Sequence, residues 1–148
     1  MRIVVVDDEP KIRNGIKTLL DKRNGWQVVG VHEGAKEALL SISDTKPDIM
    51  IVDIKMPEYS GLDLIANIRE KSEKIYIIIV SGYSDFKFAQ KASELGVYRY
   101  LTKPTNPREL INTIIEIQND IDRYRDGGCS RGHFGILNRV ECAYYNLL

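Results

Sequence analysis

The sequence predicts an α/β domain: a parallel sheet of five strands with helices on both faces. Three observations carry this reading. Short aliphatic runs alternate with amphipathic stretches from the first residue to about residue 125. Those runs are continuous and rich in Val and Ile, the pattern of strands buried on both sides. The notable polar residues fall at the carboxyl ends of the runs, where open parallel sheets place their sites.

Each element follows in order. Ile3 to Val6 is the first strand, and Pro10 opens a helix with Ile12, Ile16, Leu19 and Leu20 on one face. Gly25 ends that helix, Trp26 to Val31 is the second strand, and Ala35 to Ile42 the second helix. Pro47 precedes a third strand, Ile49 to Val52, which stops at Asp53. Leu62 to Lys71 is helical, with Leu62, Ile65 and Ile68 spaced three apart. Ile75 to Val80 is the fourth and most apolar strand. Asp85 can cap a helix that runs to Leu95, where Gly96 suits the stop. Val97 to Leu101 is the fifth strand, and Pro107 begins a last helix carrying Leu110, Ile111, Ile114, Ile115, Ile117 and Ile121.

The chain has 148 residues, enough for one domain, read here as 1–125. Residues 126–148 read as a linker and tail with a short helical pattern at Ile136, Leu137, Val140, Ala143, Tyr144 and Leu147. That pattern suits either a stub or a helix that packs on a neighbour or begins a further domain. Lys plus Arg and Asp plus Glu are equal at 21 each, so no basic excess points to nucleic acid. Cys129 and Cys142 lack CxxC spacing, which fits reduced thiols in a cytoplasmic protein. The apolar run before Asp7 is too short for a signal peptide, and none approaches the roughly 20 residues that span a membrane.

The polar strand ends form a constellation. The first strand ends in Asp7-Asp8 and the third in Asp53; the fourth ends in Ser81-Gly82, and Lys103-Pro104 follows the fifth. In a parallel sheet these ends share one edge. Three carboxylates brought together raise one another's pKa unless a cation neutralises them. A hard divalent ion with oxygen ligands, Mg²⁺, is the expected answer. Phosphoryl transfer accounts for the rest. The Asp53 carboxylate serves as nucleophile, and Lys103 supplies positive charge to the phosphoryl oxygens. Ser81 donates a hydrogen bond to one of them, and Gly82 lets the backbone come close.

The runs Val4-Val5-Val6-Asp7-Asp8-Glu9-Pro10 and Asp48-Ile49-Met50-Ile51-Val52-Asp53-Ile54-Lys55-Met56-Pro57, then Gly61, Ser81-Gly82 and Tyr100-Leu101-Thr102-Lys103-Pro104, closely resemble response-regulator receiver domains. The resemblance covers about residues 1 to 122. It implies a flavodoxin-like (βα)5 doubly wound sheet in strand order 2-1-3-4-5. It also implies that Asp53 accepts a phosphoryl group from the phosphohistidine of a sensor histidine kinase. Asp8, Asp53 and the backbone carbonyl of Lys55 would bind Mg²⁺ directly, with Asp7 acting through water. Ser81 and Lys103 would hold the phosphoryl group, a Lys103-Pro104 bond, often cis in the family, would aim the lysine, and Tyr100 would swing inward as Ser81 moves. The added charge would bias a face on the fourth helix and fifth strand, including Lys91, Glu94, Tyr98 and Arg99, toward a homodimer or another partner.

A finer resemblance is carried by Ser81-Gly82-Tyr83-Ser84-Asp85-Phe86, Ala89 and Leu95-Gly96-Val97, which look like receivers fused to AraC-type DNA-binding domains. Too few residues follow for such a domain, so the sequence is either a piece of a longer protein or a stand-alone receiver. DNA would then be reached only through a missing effector domain. Lys55 and Tyr83 match positions that tune phosphoryl lifetime in the family. A haloacid-dehalogenase-type phosphatase also uses a strand-end Asp, but it wants an acid where Lys55 stands. No GxGxxG or GxxxxGK[ST] motif follows any strand to suggest a nucleotide site. Trp26 is expected to pack at the sheet edge, and His32 and His133 to be solvated or capping residues.

Overall fold

Five aliphatic runs become five parallel strands, each followed by a helix on one face or the other. The structure, a computed structural model, describes residues 1–126 apart from Ser72 and Ser84. The tail expectations, with Cys129, His133 and Cys142, lie outside the described residues. In chain order the elements are β1 (Arg2–Val6), α1 (Pro10–Asp21), β2 (Gln27–His32), α2 (Ala35–Thr45) and β3 (Ile49–Val52), followed by α3 (Gly61–Glu70), β4 (Tyr76–Ser81), α4 (Phe86–Glu94), β5 (Arg99–Thr102) and α5 (Pro107–Arg125). The sheet runs β2-β1-β3-β4-β5, the order expected from the sequence. All four pairings are parallel.

Side chains alternate across the sheet with period two. Val4, Val6, Met50, Val52, Ile77 and Ile79 face the layer of α2, α3 and α4, where Ala38, Ile42, Leu64, Ile65, Ile68 and Ala92 meet them. Ile3, Val5, Ile49, Ile51, Ile78 and Val80 face α1 and α5, where Leu20, Leu110, Ile114 and Ile117 cover them. Each fully buried aliphatic side chain contributes about 1.5–3 kcal/mol before its entropy cost. The central strands are thereby fixed in place, and their carboxyl ends with them.

Several boundaries differ from expectation for visible reasons. Trp26 lies before β2 rather than in it. Its ring is turned into the α5 layer, and its Nε1–H donates to Gln118 Oε1 at 2.9 Å. α2 continues to Thr45, whose hydroxyl donates to the Ser41 carbonyl at 2.8 Å, and stops at Lys46 with φ 44°. β5 begins at Arg99, because Val97 first closes the C-terminal turn of α4 through its N–H to the Ala92 carbonyl. His32 ends β2 half-buried rather than solvated, and burial pulls its pKa down against the opposing charge of Glu37. Asp85 caps α4 as expected, accepting the Lys87 N–H at 3.0 Å. Among the described residues, no helix is long and apolar enough to cross a membrane.

One consequence of packing is testable in alkali. Burial, with Asp120 and Tyr124 adding to it, raises the Tyr76 phenol from 10.0 to about 12. A folded pKa above the unfolded one gives stability that is present below pH 10.0 and lost as the pH climbs to about 12. Tyr76→Phe should therefore lose less stability over that window than wild type, read from urea midpoints at about pH 8 and about pH 11. Equal losses in the two proteins would show that Tyr76 does not carry the alkaline transition.

Candidate functional site

The β-strand ends deliver the site. β1 delivers Asp7 and Asp8, and β3 delivers Asp53, whose N–H donates to the Val6 carbonyl at 2.9 Å. Ser81 is the last residue of β4, and the Lys103 N–H donates to the Ser81 carbonyl at 2.8 Å, tying the fifth strand's exit to the fourth. Asp7, Asp53 and Ser81 are all buried, at 2%, 5% and 0% exposure. Asp8 is half-buried and Glu9 exposed.

Lys103 holds the acids together. Its ammonium lies 3.0 Å from Asp7 Oδ2, 3.1 Å from Asp53 Oδ2 and 3.1 Å from Glu9 Oε1. Carboxylate oxygens of Asp7, Asp8, Glu9 and Asp53 all fall within 4.8 Å of one another. Four carboxylates and one ammonium leave a formal charge of −3 (−4 + 1) in this cleft. Burial pushes the Asp53 carboxyl up, a hydrogen bond from Lys103 pulls it back, and the charge of Asp7 raises it again. Burial alone would lower the Lys103 ammonium, yet its bonds to Asp7, Asp53 and Glu9 raise it on balance. Lys103 therefore stays charged at neutral pH. A set of hard oxygen donors with excess negative charge fits Mg²⁺ or a similar divalent ion.

The remaining residues named from the sequence are placed as follows. The Lys103–Pro104 peptide bond is cis. The Lys55 side chain lies over Tyr83, with its Nζ 3.8 Å from the centre of the ring. Tyr100 lies inward at 8% exposure, and its hydroxyl donates to the Tyr83 carbonyl. Tyr83 in turn donates its N–H to Ser81 Oγ at 3.2 Å. The strand-end hydroxyl, the loop after it and the fifth-strand aromatic thus form one hydrogen-bonded chain.

Three readings need correction or addition. Tyr98 is not on an exposed face: it lies just before β5, and at 4% exposure it packs edge-on against Tyr76 at 5.7 Å and reaches α5, in the layer opposite α4. A Cβ at Gly82 would meet open space, so the protein itself does not demand glycine there. Gly61, by contrast, is sterically constrained, since a Cβ would lie 2.0 Å from the Asp53 carbonyl oxygen. Glu9 was missed as a partner of Lys103, although its place directly after Asp7-Asp8 was the available signal.

Comparison with known proteins agrees with this geometry. The profile of the response regulator receiver domain family matches residues 3–115. The transcriptional regulatory protein YesN of Bacillus subtilis is 32% identical over 123 residues, which cover 82% of this chain and 33% of YesN. A 14.6 kDa protein of Leptolyngbya boryana is 36% identical over 116 residues, covering 77% of this chain and 87% of its own length. The REC domain of AraT, a response regulator from Geobacillus stearothermophilus, superposes with a TM-score of 0.76 at 33% identity, covering 84% of this chain and 97% of that one. A CheY-like receiver from Methanospirillum hungatei gives 0.77 at 28% identity, with coverages of 83% and 97%. The chain spans about a third of YesN and about half of YdfI, another Bacillus subtilis regulator. By its sequence, fold and strand-end acids, the chain belongs to the response regulator receiver domain family.

Proposed function

We propose that this domain is a phosphorylation-driven switch in which Asp53 takes a phosphoryl group from the phosphohistidine of a sensor histidine kinase. The observation that carries the reading is Lys103, whose ammonium sits within 3.1 Å of Asp7, Glu9 and Asp53 together. An Asp53 oxygen attacks phosphorus, an O–P bond forms as the P–N bond breaks, and the imidazole nitrogen leaves with the electron pair and takes a proton. Asp53 needs no general base, being ionised beside an ammonium. Lys103 swings its charge from the carboxylates to the incoming oxygens, and Ser81 offers its hydroxyl to one of them. Asp7, Asp8, Asp53 and the Lys55 carbonyl would hold Mg²⁺, which supplies charge neutralisation at the transferring group.

The chain itself assists both gain and loss of the phosphoryl group; in the second step water attacks phosphorus, the O–P bond to Asp53 breaks, the carboxylate takes the electron pair and orthophosphate leaves. Its output is control of transcription in the cytoplasm through a DNA-binding effector domain outside this sequence, with the α4–β5 face as the homodimer or partner contact; YesN and YdfI carry regulatory names of that kind. Residues 1–125 act as the receiver and 126–148 as a connector.

The test is intact mass after incubation with acetyl phosphate, with Mg²⁺ and with a chelator. One added phosphoryl group, about 80 Da, formed only with Mg²⁺ and mapped to Asp53, is expected of an activated carboxylate. An unmodified folded protein at short times would leave a domain used for protein contacts alone. A second expectation concerns Lys103→Gln, which removes the charge that meets the phosphoryl oxygens. The initial rate of adduct formation should fall on the order of 10²-fold, as for loss of a preorganised electrostatic donor. A rate within a factor of about two of wild type would remove Lys103 from that role.

A further inference from the structure

Arg69 stands in the last turn of α3, where a basic residue ordinarily faces solvent and complements the helix dipole. Here its guanidinium is spent on four main-chain carbonyls. Nη1 donates to Glu73 at 3.2 Å and Ile75 at 3.0 Å, in the segment leading to β4. Nε donates to Leu95 at 2.9 Å and Nη2 to Gly96 at 3.2 Å, at the carboxyl end of α4. One planar fork therefore bridges the α3–β4 connection and the α4–β5 connection. A helix end leaves carbonyls without intrahelical partners, and a rigid five-donor cation satisfies several at once.

The two ends of α4 are held very differently. At the carboxyl end, Val97 donates to Ala92 at 3.1 Å and Gly96, with φ 68°, donates to Ser93 at 3.0 Å, the paired bonds of a Schellman stop. Val97 and Ala92 are buried there, and Ala92 is the only buried residue of the helix. At the amino end Phe86 is 60% exposed. The loop entering that end hangs on the Tyr83 peptide, through Ser81 Oγ on one side and the Tyr100 hydroxyl on the other. The end that senses Ser81 has no fully buried side chain: Phe88 is partly buried on the core and meets Tyr83 edge-on at 6.3 Å.

We propose that Arg69 is the fulcrum of α4. It fixes residues 92–97 to α3 and β4, so that a change at Ser81 swings the amino-terminal half of α4 while the carboxyl end stays in place. Arg69 is a positioning residue that touches none of the reacting atoms, and this inference rests on the phosphoacceptor reading given above. Within the α4–β5 face it concentrates the change at the amino-terminal side of α4, at Tyr83, Phe86, Lys87 and Gln90.

The experiment is a backbone amide chemical-shift map of the full chain with Mg²⁺, before and after beryllofluoride, a phosphoryl mimic. In wild type, shifts should appear near Asp53, Ser81 and Lys103 and along 83–90, with those of 93–97 at least about threefold smaller. In Arg69→Lys, which keeps the charge and loses the fork, the shifts should spread through Val97, with faster amide exchange there. Shifts near Asp53 with uniform changes along α4 in wild type would overturn the fulcrum alone. The absence of any shift at Asp53, Ser81 and Lys103 would overturn the phosphoacceptor reading and the fulcrum with it. An Arg69→Lys map with the same gradient as wild type would overturn the role of Arg69, and where that variant folds poorly Arg69→Gln gives the same comparison.

Discussion

Asp53→Asn should abolish the phosphoryl adduct and yet melt no lower than wild type. The reason is that the surroundings of Asp53 work against its ionised form. It is 5% exposed, and burial together with the Asp7 charge outweighs the Lys103 hydrogen bond, so its folded pKa lies above 3.8. A carboxyl with a raised folded pKa contributes stability below its unfolded value, and that contribution is lost as the pH rises through the folded value. At pH 7 the ionised group is therefore a net cost to folding. Asparagine matches its shape and keeps an oxygen for Lys103, which still has Asp7 at 3.0 Å and Glu9 at 3.1 Å. Thermal melts should show the variant equal to wild type near about pH 4 and at or above it near about pH 7. Mg²⁺ should narrow the gap by binding wild type better, since ligands that prefer the folded state stabilise it by mass action. An adduct surviving in the variant would place the acceptor elsewhere. A variant that melts well below wild type at neutral pH would mean that the Lys103 bond dominates the environment of Asp53.

The contrast between residues that cluster visibly and residues that act through the backbone explains what could be read from the sequence. β1, β3 and β4 are continuous aliphatic runs buried on both faces, so composition alone locates them and their polar ends. Once the strands are parallel, Asp7, Asp8, Asp53, Ser81 and Lys103 must share an edge, and here four acids and an ammonium do meet there. β2 and β5 are less distinct, because one flank is set by tertiary packing: Trp26 turns toward α5, and Val97 closes α4 first. Arg69 was invisible for a different reason. A cation in the last turn of a helix reads as solvated, and nothing local reveals that carbonyls 26 and 27 residues away will accept its donors. Tyr98 was misplaced because β5 begins two residues later than expected, which leaves Tyr98 before the strand and outside its alternation.

Gly61→Ala should be the most damaging single-methyl change in the domain. Gly61 opens α3, and its N–H donates to the Ile54 carbonyl at 2.7 Å, folding the loop after Asp53 tightly back on itself. A Cβ at this position would lie 2.0 Å from the Asp53 carbonyl oxygen, 2.9 Å from its carbonyl carbon and 2.8 Å from Val52 Cγ1. Two of these atoms are backbone at the end of β3, so no rotamer change can relieve the overlap. Either the helix start moves away or the peptide carrying Asp53 does. The first option breaks the Ile54 bond and disturbs the capping box that Ser60 and Asp63 make behind it. The second shifts the Asp53 carboxylate relative to Lys103. Overpacking of this kind typically costs about 1–3 kcal/mol and more where backbone must yield. A loss of at least about 3 kcal/mol is expected, which for a domain of this size lowers the melting temperature by roughly 10 °C. Because the displaced atoms belong to Asp53, the rate of adduct formation should also fall at temperatures where the variant is still folded, as expected when a nucleophile is misplaced by about an ångström. A variant with wild-type melting and wild-type phosphorylation would show that the loop between Asp53 and α3 has room to spare, and that glycine at position 61 answers to something other than this contact.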